Sequence, residues 1–234
     1  MGKILDGKEV ASTIITDCAT KVSDMLTSGE LAPKLSVICV GDDGSSASYI
    51  KGIEKRAAEA GVLFDINRFE SSIFKEELLD FIDNLNNDEK VNGILIMRPF
   101  PGEAKSFEQE ICEAIAPDKD VDAARQLSVA GAYLGNNAFA PCTAESCMAI
   151  LHHFGIEVEG KRAVVIGRSL VVGKPVANML QNENATVTVC HSKTQNMEKI
   201  TKDADIVIVA TGTPKKFGAK YFTKDQVIID AGIN

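Results

Sequence analysis

Short apolar runs alternate along the chain with stretches whose apolar residues recur at helical spacing. LSVICVG (35–41), VLFDINRF (62–69) and GILIMRP (93–99) have strand length, and KGIEKRAAEAG and FKEELLDFIDNLNND between them carry helical periodicity. A second series follows Pro141, with TAESCMAILHHFG as a helix and RAVVIG (162–167), ATVTVCH (185–191), ADIVIVATG (204–212) and QVIIDAGI (226–233) as strands. Strands separated by helices make βαβ units, so the pattern predicts an α/β protein with parallel sheet in two adjoining domains, 1–140 and 141–234. Segment 118–140, with weak periodicity, several Ala and Gly and the turn LGNNA, reads as the connection lining any cleft between them. There is no internal repeat and no low-complexity tract.

Within the first series, SASYIKGIEKRAAEAG (46–61) predicts a helix capped by Ser46 or Ser48, with Tyr49 and Ile53 one turn apart on one face. A tyrosine just inside a helix start, after a strand and the polar loop DDGSS, stands where α/β enzymes place ligand-contacting groups. The alternative is an ordinary aromatic at the edge of the core.

Composition narrows the ligand. A 234-residue chain of balanced apolar and charged content is that of a soluble globular protein, and a net charge of −8 without a basic run argues against nucleic acid and for small metabolites. Six cysteines (18, 39, 112, 142, 147 and 190) lie scattered in apolar segments, with no CxxC and no secretory segment, which predicts reduced thiols and a cytoplasmic protein. No apolar run reaches membrane-spanning length, so no membrane partner is expected. His152 and His153 lie on a predicted helix with no acidic ligand at metal spacing, so surface or packing roles are expected and no metal is assigned.

The most informative local signal is KRAVVIGRSLVVGKPVANML, a buried strand, a Gly-rich turn and a helix. Gly167 ends the strand where the backbone must turn tightly, Gly173 lets the helix start approach closely, and Pro175 suits a first helical turn. The spacing G-x-S-x-x-x-G meets the dinucleotide fingerprint only in part. Arg168 stands beside the turn, and His191, Ser192 and Lys193 end the next strand, where the adenosine ribose of a dinucleotide would lie. An NAD site usually has an acidic residue there; Arg168, Ser192 and Lys193 suit a 2′-phosphate instead, which favours NADP. The bland alternative is a βα turn with solvated basic residues.

GRSLVVGKPVANML, NATVTVCHSKT, ADIVIVATGTP, VIIDAGIN, the PCT at 141–143, the KDVD at 119–122 and the Tyr49 helix together resemble the bifunctional methylenetetrahydrofolate dehydrogenase/cyclohydrolases over nearly the whole chain. The resemblance implies an N-terminal folate domain, a folate cleft between the domains, a C-terminal Rossmann-like domain holding NADP, and a homodimer. It implies oxidation of a methylene bridge on tetrahydrofolate to methenyl, then hydrolysis to the 10-formyl compound. Carried over by position, it implies cofactor contacts at Gly167, Arg168, Ser169, Gly173, His191, Ser192, Thr211, Gly212 and Ile233, and folate contacts at Tyr49 and Asp122.

Departures from the family pattern bear on the second step. The family's hydrolytic lysine, one turn after the tyrosine, is Ile53, and the glutamine before its Leu-Pro-Leu-Pro is Met97 in M-R-P-F-P. Lys51 and Lys55 project roughly 200° and 240° around the helix from Tyr49, and Arg56 returns to its face two turns on but is a poor base. Arg98 is expected on the strand face opposite Met97. The family's D-G-F-H is Asp122-Ala123-Ala124-Arg125, leaving Asp122 either to hold the pterin or to cap the turn in PDKDVD. After VIIDAGIN the family continues with a Pro-Gly-Gly-rich loop and a helix. The NADP domain is thus read as incomplete at its C-terminal end, by a chain cut short or by closure through another route such as a partner. Hydride transfer needs two aligned ligands and no base, whereas hydrolysis needs proton transfers worth about 10²–10⁴-fold. A dehydrogenase with weak or lost cyclohydrolase activity is therefore expected, with a fully bifunctional enzyme and a non-catalytic binding subunit as alternatives.

Overall fold

Apolar residues fill successive buried positions at 37–40, 163–166 and 206–209 because a strand covered on both faces has no solvent side. The computed structural model describes residues 2–41, 44–135 and 139–232, with backbone alone over 44–47. The chain divides into two compact units, Ala11–Val129 and Met1–Val10 with Ala130–Asn234. This division falls eleven residues before the sequence boundary at 140 and moves the N-terminus into the C-terminal unit. The contacts explain it: Glu9 Oε1 lies 3.2 Å from His153 Nε2, Lys3 Nζ stands 5.1 Å from the Phe154 ring, and Asn178 Nδ2 donates to Tyr133 O at 3.0 Å.

The first unit runs α1 (Gly7–Thr27, its first turn counted with the other unit), β1 (Lys34–Val40), α2 (Gly44–Glu59), β2 (Leu63–Phe69), α3 (Lys75–Asn87), β3 (Gly93–Ile96), a 3₁₀ turn (Gly102–Ser106) and α4 (Glu108–Glu113). Its parallel sheet has the order β2-β1-β3. Alternation sorts the residues of β1: Ile38 and Val40 join Leu78, Ile82 and Leu85 of α3 and Ile111 of α4, while Val37 and Cys39 meet Ile50 of α2. Each fully buried Leu or Ile in this core contributes about 1.5–3 kcal/mol of apolar burial. The helix α1 has no counterpart in the sequence expectations. Its signal is the i,i+4 series Val10, Ile14, Cys18 and Val22, of which Val10 and Val22 are buried.

Two expectations change here. Helix α2 begins at Gly44, so Ser46 and Ser48 lie inside it rather than capping it. Gly41, at φ +77° and hydrogen-bonded through its N–H to Phe69 O at 2.8 Å, already turns the chain out of β1, so DDGSS contributes its last three residues to the helix. Segment 118–140 is not simply a connection. Ile94 N donates to Lys119 O at 2.8 Å, tying the KDVD segment to β3, and Gln126–Tyr133 forms α5.

The second unit continues with α6 (Cys142–His153), β4 (Arg162–Ile166), α7 (Gly173–Asn182), β5 (Thr186–Cys190), α8 (Met197–Lys202), β6 (Ile206–Val209), a 3₁₀ turn (Ala219–Tyr221) and β7 (Val227–Asp230). Its sheet is parallel with order β5-β4-β6-β7. One face carries Ala163, Val165, Ile206 and Ile208 against α6 and α7, and the other carries Val164, Ile166, Val207 and Val209 near Met197 and Ile200 of α8. His152 Nε2 lies 2.8 Å from Glu183 Oε1, so both histidines of the pair meet a glutamate distant in sequence. Among the described residues no cluster of three or more His, Cys, Asp or Glu side chains could hold a metal, and no helix is long and apolar enough to cross a membrane. Cys18, Cys39, Cys112, Cys147 and Cys190 are free thiols, and burial pushes Cys112 and Cys147 up to about 11.

Candidate active site

The turn between β4 and α7 is built on glycine. Gly167 has φ +130°, and a Cβ there would stand 2.2 Å from Ala210 O; at Gly173 a Cβ would stand 2.4 Å from Gly167 O. Only hydrogen side chains let the strand end, the helix start and the end of β6 approach this closely. Ser169 Oγ accepts from Val172 N at 3.1 Å and from Gly173 N at 3.2 Å, which pins the turn against the first N–H groups of α7. Ser169 is therefore in part a structural hydroxyl. Arg168 is exposed beside it.

At the neighbouring strand end, His191 N donates to Thr194 Oγ1 at 2.8 Å, and His191 Nδ1 accepts from Lys193 N at 3.2 Å, so His191 shapes the loop after β5. Ser192 lines a cavity of about 570 Å³ with Lys199, Lys216, Phe217 and Tyr221. Thr211 Oγ1, at the end of β6, is buried without a hydrogen-bond partner among the described residues, while Gly212 leaves open space around its Cα. An orphaned buried hydroxyl beside a glycine cradle fits a polar ligand that supplies the missing partner. Ile233 lies outside the described residues.

The first unit distributes its candidates over two cavities. Tyr49, which is 62% exposed, lines an open groove of about 740 Å³ with Leu35, Gly52, Ile53 and Arg56. Met97 lines a second cavity of about 240 Å³ with Cys39, Ile50, Arg68, Arg98 and Phe100. Ile53 and Met97 thus do not share a cavity; the α2 residue on Met97's side is Ile50. The expectation for Arg98 is also corrected. β3 ends at Ile96, so strand alternation no longer governs the next residues, and Arg98 lines the same cavity as Met97. Its Nη2 lies 3.9 Å from Asp122 Oδ2. The signal that would have placed Arg98 is the pair Pro99 and Pro101, which end a strand pattern.

The two readings of PDKDVD separate by residue. Asp120, fully buried, is the turn-capping carboxylate: its oxygens accept from Ala124 N at 2.8 Å and Arg125 N at 3.0 Å. Lys119 donates to Leu85 O, Asn86 O and Asp88 O at 2.8–2.9 Å, closing the C-terminal end of α3. Asp122 is left to face the Arg98 guanidinium. Arg125 Nε makes a long ion pair with Glu113 at 3.9 Å, and its buried Nε and Nη1 have no hydrogen-bond partner among the described residues.

A parallel-sheet unit with a glycine-built βα turn, following a second parallel-sheet unit, defines an α/β nucleotide-binding enzyme of two units. Residues 5–122 match the tetrahydrofolate dehydrogenase/cyclohydrolase catalytic domain, and residues 141–234 match that family's NAD(P)-binding domain. The bifunctional protein FolD of Brevibacillus brevis is 45% identical over 231 residues, 99% of this chain and 80% of that protein. The solved bifunctional FolD enzyme of Campylobacter jejuni superposes with a TM-score of 0.93 at 36% identity, covering 99% of this chain and 82% of that one. The Trypanosoma brucei dehydrogenase-cyclohydrolase, solved with NADP cofactor and an inhibitor, gives 0.91 at 30% identity over 99% and 79%. The chain belongs to the tetrahydrofolate dehydrogenase/cyclohydrolase family.

Proposed function

We propose that this enzyme is an NADP-linked 5,10-methylenetetrahydrofolate dehydrogenase whose cyclohydrolase step is weak or lost, with folate on residues 1–140 and the cofactor on 141–234. The observation that carries the reading is the glycine turn: its close approach at Gly167 and Gly173, with a Thr211 hydroxyl that has no hydrogen-bond partner among the described residues, suits a dinucleotide. Bound NADP supplies a hydride acceptor. Arg168 and Ser192 hold a 2′-phosphate, Gly167, Ser169, Gly173, His191, Gly212 and Ile233 shape the rest of the site, and the T. brucei relative's NADP supports the choice of coenzyme. Asp122 accepts from pterin N–H groups, and the exposed Tyr49 ring offers a face on which a flat ligand stacks.

Proton transfer decides the second step. Ile53 and Met97 carry no titratable group, and Lys119, engaged by three carbonyl oxygens, is no substitute base. The methenyl product therefore leaves unhydrolysed. A cytoplasmic homodimer without nucleic-acid or membrane partners belongs to the same reading, supported by the net charge of −8 and the free thiols. Full bifunctionality is the second reading, favoured by Arg98, which brings a cation beside Met97. Initial rates of 5,10-methylenetetrahydrofolate oxidation with NADP and with NAD test the proposal: turnover that prefers NADP supports it, and no turnover with either coenzyme contradicts it.

A further inference from the structure

The cavity of about 240 Å³ sits at the carboxyl ends of all three strands of the first unit: Val40 ends β1 and Gly41 follows it, Arg68 is the penultimate residue of β2, and Met97 to Pro101 follow β3. In the order β2-β1-β3 the chain leaves the central strand to one side and returns on the other, and parallel sheets bind ligands in the crevice at such a switch point. Among the described residues, both charged side chains in its lining are guanidinium groups, in a chain whose net charge is −8. Arg68 acts on the cavity wall: the Cys39 thiol, pushed up by burial, is partly pulled back by the Arg68 charge. Arg98 is held by one long ion pair, which leaves its N–H groups without a hydrogen bond to a nearby carboxylate among the described residues. Asp122 is 3.9 Å from Arg98 Nη2, beyond hydrogen-bond distance, and Glu108 accepts from Phe100 N at 2.5 Å.

We propose that this cavity is an oxyanion subsite in which Arg68 and Arg98 bind a carboxylate or phosphate group. This deepens the folate reading and rests on it only for the identity of the anion's carrier. The volume, below the roughly 300–1,000 Å³ of whole-ligand pockets, suits one anionic group with a few attached atoms. Guanidinium forks match such groups with paired N–H donors, which an apolar residue at position 98 would not supply.

Calorimetry on the full chain with inorganic phosphate, and with tetrahydrofolate against tetrahydropteroate, which lacks the glutamyl carboxylates, tests the subsite. Wild type is expected to bind phosphate with a dissociation constant near about 1 mM or tighter. Arg98→Leu and Arg68→Ala should each weaken it at least tenfold, and Arg98→Lys should retain part of it. If tetrahydrofolate binds at least tenfold tighter than tetrahydropteroate and Arg98→Leu erases the difference, the carrier is the substrate's own tail, and Asp122, 3.9 Å from Arg98, then meets that end of the substrate and not the pterin. Equal binding of the two with phosphate still held identifies a separate small anion. Because Arg68 is exposed on an edge strand, its variant keeps the test open if Arg98→Leu fails to fold. Absence of phosphate binding in wild type, or binding indifferent to both arginines, overturns the proposal, whatever the folate result.

Discussion

Replacing Gly173 with alanine probes the cofactor turn where the start of α7 meets the strand end. The new methyl would stand 2.4 Å from Gly167 O, 2.6 Å from Gly167 C and 2.8 Å from Arg168 N. Ordinary contacts begin near about 3.5 Å, so the two backbones must part by about 1 Å. All three obstacles are backbone atoms, and no side-chain rotation relieves them. The turn is anchored by Gly167 N to Cys190 O at 2.9 Å and by Lys174 N to Ser169 O at 3.0 Å, so parting strains these bonds as well. Overpacking of this kind costs about 1–3 kcal/mol of stability, and a displacement of about 1 Å in a binding turn weakens ligand alignment by up to about 100-fold. Urea denaturation and NADP calorimetry read the two effects. Gly218→Ala is the control, because a Cβ there meets nothing within 4 Å. An NADP affinity and urea midpoint at wild-type values in Gly173→Ala would refute the reasoning.

Three further outcomes follow from the same geometry. Arg168→Ala should weaken NADP by about 10- to 150-fold, the worth of a charge-assisted phosphate contact of about 1.5–3 kcal/mol, and leave NAD nearly unchanged; calorimetry with both coenzymes checks it. Asp122→Ala should reduce folate binding and spare NADP, because Asp122 and the glycine turn belong to different units; an equal loss of both ligands would show a structural role instead. Burial alone would raise the Asp65 carboxyl, but hydrogen bonds from Lys34, Ser36 and Asn67 hold it below its usual value, with Lys34 Nζ at 2.5 Å. A depressed carboxyl stabilises the fold above its unfolded pKa of about 3.9 and loses that contribution as pH falls through the folded value. The pair is about a third exposed, so Asp65→Asn should cost about 0.5–1 kcal/mol at pH 7 and progressively less below about pH 4, read by urea denaturation across pH.

The strands were legible because each is a short apolar run bounded by polar turns: all seven expected runs contain a strand, from Lys34–Val40 to Val227–Asp230. The turn at Gly167 and Gly173 was legible for the same local reason, since tight approach leaves glycine as its mark. What escaped depends on tertiary context. Helix α1 buries only a thin stripe, leaving Ile14 48% exposed, so its pattern reads weakly. Helix α5 has apolar residues such as Leu127 and Tyr133 on exposed positions, which blurs its periodicity. At the candidate site, the alternation argument failed for Arg98 because the strand ends two residues earlier, at Ile96. The division of labour in KDVD was illegible because the carbonyls that hold Lys119 come from residues 85, 86 and 88. The pairing of Ile53 with Met97 came from family position alone, and the two side chains line different cavities.

Hydride transfer is expected to survive in this enzyme where hydrolysis does not. This is tested most directly by the amount of 5,10-methenyltetrahydrofolate accumulated per NADPH formed, from 5,10-methylenetetrahydrofolate and NADP, corrected for spontaneous hydrolysis. A ratio close to one throughout the early time course is the result predicted for an enzyme with Ile53 and Met97 in place of the proton-transferring pair. A ratio near zero, with the 10-formyl compound appearing in step with NADPH, would contradict the account.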